Sequence, residues 1–240
     1  MVKKIYTFVV LLSFISGLLS VFIFRRNLSA EASMINYFGY LSKDLIGGAL
    51  TVDSLREIFT IPLVGFLYFD FFDIVNVGLL SLLFIPLLHS CYKRSKINSI
   101  INSILLLSCL IMYIVSNSAL PLFFNLNNPE KLHDLITRIS SEMILYDISV
   151  LLLYSFGLFI TLSIRKYQLC SNFTVSLGLL TNIIGLLYFP LWFIIGEYRF
   201  LAIVLSAPFT VIWHTNIAIH NFRLFKRLYS VNKNLPDITI

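Results

Sequence analysis

The amino-acid sequence predicts an all-α protein, a polytopic membrane helix bundle of about six transmembrane helices with amphipathic helices in its outer loops. Composition gives the first reason: the 240 residues are 58% hydrophobic and only 12% charged, whereas soluble domains have about 25% charged residues. Mean hydropathy is +0.87. The second reason is six long apolar runs, because a spanning helix needs roughly 20 apolar residues. Six spans and their connections use the whole chain, so we expect a single transmembrane domain over residues 1–240.

The apolar runs set the bounds of the six predicted helices. The first follows Lys3 and Lys4, as a signal peptide would, but the Arg25-Arg26 pair precedes the small residues "AEA" at 30–32. These flanks fit a signal peptide poorly, so we expect a retained first helix. The predicted spans cover residues 5–24, 63–90, 99–120, 143–164, 173–195 and 200–222.

The distribution of charge predicts an orientation with both termini in the cytoplasm. With the N-terminus inside, eleven of the eighteen basic residues fall on the cytoplasmic side in short segments, where the positive-inside bias acts. The acidic residues divide more sharply, because only Asp237 of the twelve falls inside. The net charge of +6 is therefore explained by membrane topology, and we expect no nucleic-acid partner.

Two outer connections have the pattern of amphipathic helices. In the first, residues 27–60, apolar residues recur at helical spacing and Gly47-Gly48 ends the run. The second begins at Asn128 and Pro129, a typical N-cap and first helical residue. We expect both segments to lie on the outer membrane surface or to cover the mouth of a cavity as a lid.

The second span carries an unusual acidic strip. In "FLYFDFFDIVN", Asp70, Asp73 and Asn76 recur every three residues, which places them on one strip of a helix. Burial would drive one of two adjacent carboxylates to bind a proton, or require a cation. A charge at membrane depth costs on the order of 3 kcal/mol on insertion scales, so a lipid-facing position is disfavoured.

Other polar residues are predicted in the same leaflet. Tyr146 and Asp147 begin the fourth span, and Arg199 lies between the fifth and sixth. Two interpretations are open. Arg199 or Arg138 neutralises the aspartates in an ion-paired network that only holds helices together. Alternatively, the strip faces a solvated pocket for a small solute, cation or proton.

The histidines offer a weaker redox alternative. His214 and His220 are six residues apart, so they cannot share a metal as an i, i+4 pair can. His89 and His220 could meet across two helices to ligate haem or a metal, but the surrounding sequence lacks a carboxylate partner for them. We therefore expect no cofactor and no metal site.

Enzyme signatures are missing from the sequence. It has no GxSxG, HExxH or glycine-rich phosphate loop, and Asp73 with Asp147 is the only pair to consider for intramembrane aspartyl catalysis. Cys91, Cys109 and Cys170 have neither CxxC nor metal-ligand spacing, which indicates reduced, buried thiols. Catalysis is left open but disfavoured, with no catalytic residue assigned.

Two segments resemble a large prokaryotic family of six-helix membrane proteins, domain of unknown function four-three-eight-six. They are "FLYFDFFDIVNVGLLSLLFIPLL" and "YSFGLFITLSIRKYQLCSNFTVSLGLLTNIIGLLYF", and the resemblance covers most of the chain from the second span onward. The third helix lacks a basic residue expected there, and Pro208 and "IWHTN" replace the family's Gly-Glu pair before a Trp. The resemblance implies fold and membrane location only, since no activity is assigned to the family.

The sequence thus predicts a multi-pass protein of the plasma membrane whose partners are the lipid bilayer and a small solute or cation. The expected site is an outer-leaflet acidic pocket of Asp70, Asp73, Asn76, Tyr146 and Asp147. The alternative is a non-catalytic membrane subunit, in a homo- or hetero-oligomer, whose polar residues only pack helices or bind a partner protein. A haem or metal redox protein is the second alternative.

Overall fold

The predicted all-α membrane bundle is confirmed. A computed structural model describes residues 4–21, 63–116, 129–195 and 200–233, without side chains for 63–73, 129–143, 192, 195, 200, 204, 232 and 233. All regular structure in these ranges is helical. The helices are α1 (Lys4–Val21), α2 (Leu63–Arg94), α3 (Lys96–Ser116), α4 (Pro129–Lys166), α5 (Asn172–Leu186), α6 (Tyr188–Ile195) and α7 (Phe200–Lys233).

Six helical segments within the described ranges are long and apolar enough to cross a membrane. α5 and α6 together supply one of them, and each other helix supplies one. Their large apolar side chains are exposed on the outside of the bundle, which is the arrangement that a lipid environment stabilises. The segments are Lys4–Val21, Ile74–Arg94, Lys96–Ser116, Ile144–Lys166, Asn172–Leu191 and Leu201–Val231.

The predicted amphipathic helices have different outcomes. α4 begins at Pro129, as the N-cap pattern predicts, but it continues without a break through the fourth span. The second outer segment is therefore the first part of a 38-residue helix and not a separate surface helix. Residues 27–60, which contain the other predicted amphipathic segment, lie outside the described residues.

A proline explains the interruption between α5 and α6. Pro190 has no N–H for the carbonyl of Leu186, and the chain forms a turn at Leu187 between the two helices. Pro86 lies inside α2, which continues as a helix through it. Near it, the side-chain amide of Asn221 on α7 donates to the carbonyl oxygen of Leu83 at 2.9 Å. This bond joins α7 to α2 in the bundle interior.

Glycines let α4 and α5 approach closely. A β-carbon at Gly157 of α4 would overlap the side-chain amide of Asn182, and one at Gly185 of α5 would overlap the ring of Tyr154. At Gly178 it would lie 2.6 Å from the indole nitrogen of Trp213. Small residues at helix crossings are typical of membrane bundles, and here they bring polar side chains of α5 against α4.

The interior is filled tightly in one half of the bundle. A cluster of buried apolar side chains from α2, α3, α4, α5 and α7 fills the half in which α2 and α4 end, and we call it the solid core. Phe84 and Phe156 meet edge to face with ring centroids 5.0 Å apart at its boundary. The fully buried members include Leu83, Leu87, Cys91, Ile160, Ile164 and Ile217.

The turn after α4 holds Cys170 against this core. Gln168 has a positive φ of 52°, and the N–H of Leu169 donates to the carbonyl of Ile164 at 3.0 Å, which is a Schellman ending of a helix. Cys170 is half-buried beside Cys91. Burial raises the pKa of the Cys170 thiol to about 12, and the Cys91 thiol adds to the rise.

We predict that Cys170 resists alkylation in the folded protein near neutral pH. The thiolate is the reactive form, and a pKa of about 12 instead of 9.0 leaves about a thousandfold less of it below pH 9. Iodoacetamide labelling, located by mass spectrometry, should proceed far faster after denaturation. Below pH 9, each unit of rising pH should speed native labelling about tenfold. Equal labelling rates for native and denatured protein at pH 7.5 would contradict the prediction.

Candidate functional site

A partly enclosed cavity of about 100 Å³ lies in the half of the bundle opposite the solid core. One water needs roughly 15 Å³ on a comparable scale, so the space holds several waters or one small solute. Side chains of α1, α2, α3, α4, α5 and α7 line it. They are Ser20, Asn76, Val77, Leu80, Phe84, Leu106, Tyr113, Tyr146, Val150, Leu153, Tyr154, Phe156, Gly157, Thr181, Asn182, Ile203, Thr210, Trp213 and His214.

The end of the cavity that lies farther from the solid core, near the last residues of α1, is polar and aromatic. Ser20, near the end of α1, donates to Oδ1 of Asn76 at 2.6 Å, and both side chains are buried. On the other side, the rings of Tyr113 and Tyr146 have centroids 5.8 Å apart. These four residues place α1, α2, α3 and α4 around this end of the cavity.

Hydrogen bonds fix the middle of the wall. Tyr154 of α4 and Ser206 of α7 share a buried hydrogen bond of 2.8 Å between their hydroxyls. Thr210 donates to the carbonyl of Ser206 at 2.9 Å. Asn182 donates to the carbonyl of Gly178 at 2.6 Å and lies over Gly157. The middle of the cavity is therefore held by contacts between α4, α5 and α7.

The inner end of the cavity meets the solid core at an aromatic group. Trp213 and His214 contact each other, and both contact Phe84, with ring centroids 5.1 to 5.9 Å apart. Within the described ranges, the indole nitrogen of Trp213 and the hydroxyl of Thr181 are buried with no hydrogen-bond partner. An unpaired buried polar group costs about 1–3 kcal/mol, and the indole nitrogen of Trp213 lies against Gly178 of α5.

The structure separates the predicted site residues into two groups. Asn76 and Tyr146 line the cavity. Asp147 is buried but does not line it, and its carboxylate accepts a hydrogen bond from the hydroxyl of Tyr188. The sequence grouped these three residues in one pocket; the structure describes Asp147 in a contact between α4 and α6, and its role in binding a ligand stays a prediction.

The predicted charged residues of the site fall outside the described side chains. Asp70 and Asp73 belong to α2, about two turns and one turn before Asn76, and only their backbone is described. The backbone of Arg138 belongs to α4, and Arg199 lies outside the described residues altogether. The ion pairs predicted between these arginines and aspartates stay predictions.

The histidines occupy separate places in the bundle. His89 packs on Tyr6 with ring centroids 4.6 Å apart, and His214 lines the cavity. In the part of the chain that the structure describes, no group of three or more His, Cys, Asp or Glu side chains could hold a metal ion.

Most of the cavity wall was missed by sequence reasoning. Thr181, Trp213 and Tyr154 lie on α5, α7 and α4, respectively, whereas the sequence prediction was based on the acidic residues of the second span. One signal was present: polar residues within apolar spans, such as Thr181 and Thr210, face a bundle interior or a cavity by default. The glycines that bring α4 and α5 together were a second signal.

In comparisons with known proteins, no family model, no curated protein and no solved structure matches this chain. The resemblance to the six-helix prokaryotic family therefore stays a prediction. The six apolar helices give the chain the character of a multi-pass membrane protein.

Proposed function

We propose that this protein is a multi-pass plasma-membrane protein that binds a small solute inside its helix bundle, as a binding step or as the first step of transport. The observation that carries the proposal is the cavity of about 100 Å³ lined from six helices. Pockets between bundle helices with a few convergent polar groups on an apolar wall are typical ligand sites. The solid core beyond Phe84 closes the other half of the bundle.

The distribution of basic side chains supports an outward-facing cavity. The basic residues whose side chains the structure describes gather at the end of the bundle opposite the cavity, where α1 and α3 begin and α2 and α4 end. The positive-inside bias favours a cytoplasmic location for that end, and for both termini with it. The residues are Lys4, Lys93, Arg94, Lys96, Arg165, Lys166, Arg223, Lys226 and Arg227.

Asp70 and Asp73 fit this proposal as groups at the entrance. Their helical turns precede Asn76 on α2, toward the end of the bundle where Ser20 and Tyr146 lie. In this position the pair would bind a proton or cation near the outer surface, while the described cavity wall holds the solute.

The second candidate function is a non-catalytic membrane subunit, and the hydrogen bonds favour it. Several buried polar side chains bond to other helices, including Ser20 with Asn76 and Asn221 with the carbonyl of Leu83. Bonds of this kind associate membrane helices without binding any ligand. On this interpretation, a protein or second copy packs on the outside and the cavity stays inaccessible.

Quenching of Trp213 fluorescence separates the two functions. Trp192→Phe leaves Trp213 as the only tryptophan, because the chain has two. Acrylamide, a small uncharged solute, should quench Trp213 in the folded protein if the cavity admits solutes from water. Val150→Phe adds a ring to the cavity wall and should reduce quenching severalfold. Val115→Phe makes the same change at a side chain that is 43% exposed and should leave quenching unchanged.

If acrylamide quenches Trp213 no more strongly than it quenches a tryptophan that solutes cannot reach, the solute-binding proposal is overturned. Equal quenching in Val150→Phe and Val115→Phe would do the same, because the quencher would then not pass through the cavity. Either result leaves the packing role as the better account of the polar residues.

A further inference from the structure

We infer that the C-terminal part of α7 binds the headgroup of an anionic phospholipid through a basic face formed by Arg223, Lys226 and Arg227. The inference concerns the surface of the bundle and does not depend on the proposed solute binding. Three observations carry it: the length of α7 beyond the bundle interior, the spacing and exposure of the three cations, and the lack of acidic residues in the segments around them.

The last part of α7 continues past the point at which the helix is packed in the bundle. Its 34 residues extend over about 51 Å at 1.5 Å per residue, whereas the hydrocarbon core of a bilayer is about 30 Å thick. Asn221 is fully buried and bonds to α2, but no later side chain that the structure describes on α7 is buried. Residues 222–233, which we call the α7 extension, therefore reach the membrane surface at the basic end of the bundle.

Three cations share one face of the α7 extension. Arg223, Lys226 and Arg227 have the three- and four-residue spacing that makes side chains neighbours on a helix, and all three are exposed. The Nζ of Lys226 lies 4.6 Å from the centroid of the Phe222 ring, and that ring contacts Phe14 of α1 with centroids 4.8 Å apart. The basic face thus begins at a helical turn that is packed on α1.

The neighbouring segments supply no negative charge to this face. The basic end of the bundle is formed by residues 88–100, 160–175 and 218–233, which contain nine Lys and Arg residues and no Asp or Glu. The next acidic residue along the chain, Asp237, lies outside the described residues. Neighbouring cations repel one another, and a bound anion relieves that repulsion. Anionic lipid headgroups are the anions that a membrane surface presents to such a basic segment.

The surroundings of the three cations favour a lipid over a nucleic acid. The α7 extension continues directly from a spanning helix, so its cations lie where lipid phosphates are concentrated. Half-buried Leu224, Phe225 and Leu228 alternate with the cations, and the exposed Tyr229 stacks on Phe225 with ring centroids 5.8 Å apart. Tyrosine is enriched at membrane interfaces, and Lys and Arg place their apolar stems along such surfaces while their charges reach the headgroups.

Native mass spectrometry of the full chain in a neutral detergent tests the inference, with phosphatidylglycerol and phosphatidylcholine of identical acyl chains as probes. Each cation near an anionic headgroup contributes about a fivefold gain in affinity. We therefore expect phosphatidylglycerol to bind about tenfold more tightly than phosphatidylcholine, or better. The triple variant Arg223→Gln/Lys226→Gln/Arg227→Gln should reduce this preference to about twofold or less, because it removes the basic face.

Lys93→Gln/Arg94→Gln/Lys96→Gln is the matched control, because it removes three cations from the same end of the bundle but none from α7. It should retain a preference of about fivefold or more for phosphatidylglycerol. Equal loss of the preference in both triple variants would overturn the inference, since the lipid would then respond only to the total charge at that end. An original protein that binds the two lipids equally well would overturn it as well.

Two further measurements complete the test. Should the triple variant of α7 not fold, Arg227→Gln removes one exposed cation and should lower the affinity for phosphatidylglycerol about fivefold; an unchanged affinity contradicts the inference. A short single-stranded RNA, added in the same detergent, should bind the original protein more weakly than phosphatidylglycerol does. If the RNA binds more tightly and the triple variant of α7 loses that binding, the face belongs to a nucleic acid and the inference is wrong.

Discussion

Gly185→Ala should lower the stability of the bundle by about 3 kcal/mol or more, although it adds a single methyl group. The added β-carbon would overlap three atoms of the Tyr154 ring. That ring is held in place, because it is 8% exposed and its hydroxyl bonds to Ser206. Overpacking of a well-filled interior typically costs 1–3 kcal/mol or more. The measurement is thermal or denaturant unfolding of purified protein in one detergent.

Gly78→Ala is the matched control for this change. Gly78 is also helical, but a β-carbon there meets no atom within 4 Å. Alanine is favoured over glycine in a helix by about 1 kcal/mol, so this variant should be as stable as the original or more so.

A second variant tests whether the loss of stability in Gly185→Ala arises at the contact between α4 and α5. Tyr154→Val removes the ring, so Gly185→Ala should cost at most about 1 kcal/mol in that background, and the pair should be strongly non-additive. If Gly185→Ala is tolerated as well as Gly78→Ala, the close packing of these helices is wrong.

The architecture could be predicted from sequence because membrane helices are encoded locally. Inside the bilayer, each spanning segment must satisfy the hydrogen bonds of its own backbone and expose an apolar surface. Both conditions can be recognised in a run of about 20 residues. The beginning of α4 was equally local, since Pro129 fits only the first turn of a helix. The continuity of α4 into the fourth span could not be predicted locally, because no single residue signals that a helix passes without a break from the membrane interface into the bilayer.

The candidate site was harder to predict because it depends on which faces of different helices meet. Asn76 was identified from its spacing, yet its partner Ser20 is 56 residues away. Nothing within α5 indicates that Thr181 and Asn182 both line a cavity, or that Asn182 also lies over Gly157 of α4. The acidic residues also led the prediction away from most of the cavity wall, because carboxylates are more conspicuous in an apolar sequence than hydroxyls and aromatic rings are. The described wall of the cavity consists of the less conspicuous groups.

Tyr188→Phe should lower stability by about 2 kcal/mol, because it removes one hydroxyl that stabilises a buried carboxylate. Tyr188 is 2% exposed, and its hydroxyl donates to Oδ1 of Asp147, which is 4% exposed. Breaking a buried hydrogen bond by removing one partner costs about 1–3 kcal/mol. Tyr229→Phe makes the same change on a side chain that is 58% exposed and should alter stability by less than about 0.5 kcal/mol.

Asp147→Asn decides what this carboxylate does. An amide oxygen still accepts from Tyr188, so we expect a smaller loss of stability, and Tyr188→Phe should cost less in the Asp147→Asn background than alone. Because Asp147 does not line the cavity, acrylamide should quench Trp213 in this variant as in the original protein. If Asp147→Asn instead abolishes the quenching while the melting temperature stays unchanged, Asp147 acts on the solute, as the sequence predicts. Loss of stability with quenching retained would mean that Asp147 and Tyr188 join α4 and α6 beside the cavity.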